Sequence, residues 1–342
     1  MTPFRFITSC AVALSAALVS SEALAHVKWF VDPTMASQVS FTPYQITDTA
    51  VLLWIGVMLS LAVIAVMLDR RVPSIPVADT KTRHDFIELL RIFTGMALLL
   101  TAYEGALIAP HLAVYGGLGG VLVFLQAVIG IMLIANRFIL HAALLMLLLT
   151  LGIVVKFGLG SALEYFIIVG IALFLGINHL PTEASKERWK PYSVALLRIC
   201  TGVSLIALAV SEKLAGAAMG QAFVANYDWN FMEMLGFSAF DDRLFVLSAG
   251  MMEATFGLIL ILGVMTRATM LAVSAFMLMS NLVFIAQGYR EEALVEFVGH
   301  MPLIATALIL LLLGYGQRLR ITDLEVGALL RGLRTKPARG DA

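Results

Sequence analysis

The stretch Leu89-Leu90-Arg91-Ile92-Phe93-Thr94-Gly95 returns ~107 residues later as Leu196-Leu197-Arg198-Ile199-Cys200-Thr201-Gly202, and each copy opens a long apolar run. An internal repeat of this kind means that one structural unit is used twice. The unit has to live in lipid. Of all residues 60% are hydrophobic and 13% charged, against about 25% charge in a water-soluble domain. So few charges cannot cover an aqueous surface, and a bilayer leaves helices as the expected spans because the backbone must satisfy itself.

The first 25 residues read as a signal peptide. Arg5 supplies a positive start, Ile7 to Ser20 a short apolar core, and Ala23-Leu24-Ala25 a cleavage site. A semi-polar segment, 26–48, follows. Spanning-length apolar windows then fall at 49–68, 88–109, 118–135, 138–156, 162–178, 194–212, 244–263, 268–286 and 293–315. The expectation is an all-α polytopic membrane protein with about nine transmembrane helices. Its units are a first helix (49–68), repeat 1 (85–192), repeat 2 (193–317) and a basic tail (318–342).

Lysine and arginine set the orientation. With the mature N-terminus outside, inner loops and tail hold Arg70, Arg71, Lys81, Arg83, Arg137, Lys186, Arg188, Lys190, Arg267 and the tail cations, while the outer segments hold Lys28, Lys156, Lys213, Arg243 and Arg290. This positive-inside bias places a bacterial chain in the inner membrane, N-terminus periplasmic and C-terminus cytoplasmic. The tail reads as an interfacial helix opening at Thr322-x-x-Glu325, held by anionic lipid or by a partner. Net charge is +0, and there is no basic patch with interleaved aromatics, so the bilayer and not nucleic acid is the expected partner. Cys10 lies in the leader and Cys200 in a span, which excludes thiol-relay and cysteine-cluster chemistry.

Each repeat contains four spans. An even number makes the copies parallel, so that matching residues lie at the same depth. Leu-x-Arg-x-x-x-Gly at a span start, Ser211-Glu212-Lys213-Leu214 at its outer end, Glu253-x-x-x-Gly257, Gly263 before Thr266-Arg267, Glu296, and the closing Gly314-Tyr315-Gly316-Gln317-Arg318 are the motifs of repeat 2. Together they resemble the DoxX family of four-helix membrane proteins. The first copy matches through Arg91, Gly95, Gln126-x-x-x-Gly130 and Glu164, with Tyr103-Glu104-Gly105 where repeat 2 has its Glu-Lys-Leu triplet. The resemblance implies a redox setting or an assembly role, because DoxX-like proteins include a subunit of a thiosulfate:quinone oxidoreductase and accessory factors in protein maturation.

Ionisable groups inside spans cost about 2.5–3.5 kcal/mol each on insertion scales, so their positions are informative. Glu253, Glu296 and His300 are the first candidates for proton or headgroup ligands, and Glu104, Glu164 and Glu212 the second set. Gln126 matches Glu253, Glu164 matches Glu296, and Ile168 matches His300. Glu296 and His300 share a helix face at i, i+4. The pair suits proton relay, metal binding or a quinone headgroup; a buried polar clasp between helices is the structural alternative. Arg91 and Arg198, at inner span ends, suit an anionic ligand or lipid phosphate. Gly95, Gly130, Gly202 and Gly257 read as close-packing positions.

Cleavage after Ala25 would leave His26 at the N-terminus, where its amine and imidazole form a chelate suited to copper(II). His111, Met232 and Met234 are possible further ligands, and Trp29 with Phe30 reads as an interfacial anchor. Three functions follow: a quinone-linked subunit working with a membrane or periplasmic redox partner, a copper-handling protein, and a non-catalytic assembly factor.

Overall fold

A computed structural model describes residues 27–31, 33–72, 80–314 and 318–323. The leader, His26 and most of the tail lie outside these residues. Among the described residues all regular elements are helical. They run α1 (Pro33–Gln38), α2 (Thr49–Asp69), α3 (Thr80–Tyr103), α4 (Gly117–Ile134), α5 (Ile139–Glu164), α6 (Ile167–Asn178) and α7 (Glu183–Leu208), which continues as a π-helical turn, Ala209–Leu214. Then come α8 (Ala217–Tyr227), α9 (Phe231–Met234), α10 (Asp242–Leu262), α11 (Thr266–Gln287) and α12 (Arg290–Leu313).

Eight of these are long and apolar enough to cross a membrane, α2, α3, α4, α5, α7 with its π turn, α10, α11 and α12. The chain is an all-α polytopic membrane protein. Large apolar side chains such as Leu53, Val121, Leu151 and Leu271 point outward, as a lipid-facing surface requires.

The ninth expected span differs in length. α6 has 12 residues, too few to cross alone. The cause lies in α5, a 26-residue helix broken at Gly158, whose φ of 86° and ψ of 171° suit glycine. After that break the chain reaches Glu164, whose carbonyl accepts from Ser204 Oγ in α7. Ser204 lies roughly 15 Å along the axis from the C-terminal end of the π turn, at 1.5 Å per residue. α6 therefore starts inside the bundle, wrapped by protein, and needs no full bilayer length.

Matching helices pack in matching ways. α3 crosses α4, and α7 crosses α10. A Cβ on Gly95 would lie 2.9 Å from the Gly130 carbonyl oxygen, and one on Gly202 would lie 2.6 Å from that of Gly257. The arginine of the repeated motif works at the same crossing. Arg91 donates to the carbonyls of Leu133 and of Ile134 (2.9 Å), closing the C-terminal end of α4. Arg198 lies against Gly263, just past α10, and donates to the Leu319 carbonyl at 2.8 Å. Both arginines are thus placed at helix ends, buried among protein groups.

The repeats do not stand as two separate bundles. α6 packs on α7, and α12 on α3, so the last helix of each repeat lies against the first of the other. With the pairs α4–α5, α5–α6, α10–α11 and α11–α12 this closes a ring of eight helices. One core runs through both, from Leu90, Ile129 and Phe174 to Leu197, Leu260 and Leu310. α2 lies outside the ring against α10. Its N-terminal start is clamped by Arg243, which donates to the Thr42 carbonyl (3.2 Å) and to Asp48 (2.6 Å), while Tyr44 donates to the Arg243 carbonyl at 2.8 Å. The Arg243 hydrogen bond holds the Asp48 carboxyl below its ordinary pKa.

Candidate functional site

The first described residues pack into the bundle. Val27 and Val31 are shielded from solvent, and the segment Val27–Val31 inserts between the two repeats. The Val27 amide donates to Glu212 Oε2 at 3.2 Å. Lys28 pairs with Glu164 and donates to Ser211 Oγ at 3.2 Å. Lys213 donates to Glu253 Oε2 at 3.0 Å and to Glu212 Oε2 at 3.4 Å. Glu164, Glu212, Glu253 and Lys213 are each no more than 4% exposed.

Two lysines and three glutamates therefore share one interior. With every group ionised the five carry one excess negative charge. Glu164 Oε2 and Glu212 Oε1 are buried and accept no hydrogen bond. A medium of low permittivity tolerates such an imbalance poorly, and one bound proton or cation would balance these described groups.

A second part of the site adjoins it. The Tyr165 hydroxyl accepts from Trp29 Nε1 at 3.1 Å. The Trp29 ring lies 5.2 Å from the His300 ring and directly over Gly299. His300 Nδ1 lies 2.8 Å from the Glu296 carbonyl oxygen; that oxygen only accepts, so Nδ1 carries the proton. Glu296 accepts from Ser280 Oγ at 2.8 Å. Between α3, α6, α7 and α12 runs a cavity of about 40 Å³. Trp29, Glu164, Tyr165, Thr201, Ser204 and His300 supply its polar lining, and Leu98, Ile168, Leu205 and Leu303 are among its apolar walls.

The structure thus joins Glu212 and Glu253 through Lys213, pairs Glu164 with Lys28, and brings Glu164 and His300 to one cavity with Glu296 behind the imidazole. Glu104 is exposed on the loop between α3 and α4 and stands apart. Its partner position shows why: the π-helical turn, with its i→i+5 geometry, accommodates one extra residue in repeat 2. That accounts for the one-residue offset between Glu104 and Glu212. Gln126, matching Glu253, is a neutral clasp. Its Nε2 donates to Leu98 O (3.0 Å), Thr101 Oγ1 (2.9 Å) and Ala106 O (3.1 Å), and its Oε1 accepts from the Ile108 amide at 2.9 Å.

Sequence reasoning missed Lys28, Lys213, Tyr165 and Trp29. Lys213 carried a signal, since a lysine beside Glu212 at a span end is a natural counter-ion. Lys28 carried none, because nothing local marks residues 27–31 as interior. Trp29 and Phe30, expected as an interfacial anchor, instead pack inside the protein. Phe30 joins an aromatic cluster with Phe223, Tyr227 and Phe284 beneath a cap formed by α8 and α9. Met232 packs against this cluster.

His111 lies in the loop between α3 and α4, with its ring 5.9 Å from that of Tyr165. Burial lowers its pKa to about 4, with Glu212 opposing and Lys28 assisting the shift. The imidazole is therefore neutral at pH 7. Its folded pKa lies below its unfolded value, so between about pH 6.5 and 4 the undocked loop binds the proton more readily. Docking is fully stable above that window and weakens as pH falls through it. Hydrogen exchange in residues 104–114, corrected for intrinsic rates, should accelerate from pH 7 to pH 5. His111→Gln should flatten that dependence.

Among the described residues no group of three His, Cys, Asp or Glu side chains is arranged to hold a metal ion. His26 and the Met234 side chain lie outside the described residues. No family model, characterised protein or solved structure matches the chain.

Proposed function

We propose that this protein is an accessory subunit of a redox process at the outer face of a bacterial inner membrane, and that its buried centre binds a quinone headgroup and carries the associated proton. The supporting observation is the set of three buried glutamates and buried Lys213, with partly buried Lys28, bordering a cavity with Tyr165 and His300. A scaffold has no use for such a centre. Burying four charges and leaving two carboxylate oxygens unsatisfied costs stability that apolar packing would not.

The chemistry fits a quinone better than a polar solute. Its ring suits the apolar walls, a carbonyl accepts from tyrosine, His300 Nε2 as the acceptor nitrogen of its tautomer suits a quinol hydroxyl, and reduction consumes protons that the carboxylates can hold. The positive-inside bias supports a periplasmic position for this centre. The resemblance to a family with a quinone-reducing member agrees with the reading. Quinone should co-purify with the protein from its native membrane, and purified protein should bind decylubiquinone. His300→Ala should weaken binding of the reduced form, decylubiquinol, by about tenfold, the worth of one charge-free hydrogen bond lost in a buried site. Absence of both co-purification and binding would reject the reading.

A further inference from the structure

The Trp29 indole occupies a place built for a flat ring. Gly299 forms its floor: a Cβ there would lie 2.0 Å from the ring. His300 faces it at 5.2 Å, and the Tyr165 hydroxyl meets its polar edge at 3.1 Å. Beside it the cavity continues between apolar walls. That remaining space, about 40 Å³, suits water and not a ring. The occupant of the slot is tethered: Trp29 belongs to a short segment that enters from the outer end, held by Val27 on Glu212 and by Lys28 on Glu164.

We infer that this slot is the seat of a planar quinoid headgroup, and that Trp29 is a tethered competitor which must withdraw before the headgroup binds. The inference rests on the quinone-binding reading above and assigns its site and its control. A benzoquinone or naphthoquinone ring has the shape of the indole it replaces. The Tyr165 hydroxyl accepts from the indole, and on rotation donates to a quinone carbonyl. Leu98, Ile168 and Leu205 continue the cavity as an apolar path for the first isoprenoid carbons. Withdrawal of the segment also removes Lys28 from Glu164. Headgroup entry is thereby coupled to loss of a cation from the carboxylates, and so to proton uptake by them.

The test is equilibrium binding of decylubiquinone to the purified full-length protein. A slot filled by Trp29 nine-tenths of the time or more imposes a penalty of about tenfold or greater on apparent affinity. Trp29→Ala should lift it, and binding should tighten by that factor. Adding Gly299→Ala, which puts a methyl group on the floor of the slot, should cancel the gain. Should Trp29→Ala not fold, Trp29→Phe, which keeps a smaller ring and loses the bond to Tyr165, should still tighten binding by about threefold, a fraction of the same penalty. Equal affinity in the wild type and the Trp29 variants would overturn the inference while leaving quinone binding in place elsewhere. No binding by any of them would overturn both. A gain that survives Gly299→Ala would also overturn the assignment, because the ring would then lie outside the slot.

Discussion

Lys213→Met is expected to destabilise the folded protein by about 3–5 kcal/mol, the cost of leaving buried charges without their partner. Lys213 is the cation that touches both Glu212 and Glu253. Without it Glu253 has no counter-charge, and Glu212 keeps only the Val27 amide. Methionine fills much of the same volume, so the loss is electrostatic and not a cavity effect. The chain itself supplies the compensating substitution, since repeat 1 carries neutral Gln126 at the position of Glu253. Lys213→Met with Glu253→Gln should therefore recover most of the stability. Thermal unfolding in detergent, followed by circular dichroism, reads both variants. Equal destabilisation of single and double variants would show that Lys213 acts through packing.

The same comparison shows what the sequence made legible. Two parallel copies, the apolar spans and the glycine crossings all follow from local patterns, because span length, charge bias and small-residue spacing are written in neighbouring residues. The inequality of Gln126 and Glu253, or of Ile168 and His300, was also readable by aligning the copies. What escaped was long-range. Lys28 meets Glu164 across 136 residues of chain, and no periodicity reports that encounter. The kink at Gly158 escaped because a single glycine in an apolar run resembles any other until its φ is known. The exchange of helix partners between the repeats is invisible for a different reason. Separate bundles and a closed ring bury equally apolar faces, so the hydrophobic pattern does not choose between them. That choice decides the site, because Glu164 of repeat 1 and His300 of repeat 2 line one cavity only when the ring is closed.

Gly257→Ala should cost about 1–3 kcal/mol, the usual range for overpacking a tight interior. The added methyl would lie 2.6 Å from the Gly202 carbonyl oxygen, and the reciprocal substitution meets the Gly257 oxygen at 2.6 Å. Both obstacles are backbone, so no rotamer change relieves them and α7 must move away from α10. Within lipid there is no hydrophobic gain to offset the parting, since helices there associate through close packing and hydrogen bonds. Gly120→Ala is the matched control. Nothing lies within 4 Å of a Cβ at Gly120, in α4, so alanine there should be neutral or stabilising by up to about 0.5–1 kcal/mol through helix propensity. The two crossings also connect packing to function. Gly130→Ala strains α3 against α4, and α3 walls the cavity with Leu98. Gly257→Ala strains α10 against α7, which walls the same cavity with Thr201 and Leu205. Equal losses of stability and a fall in quinone affinity are expected from both, and neither from Gly120→Ala. Unchanged affinity in both strained variants would mean that the headgroup binds away from this cavity.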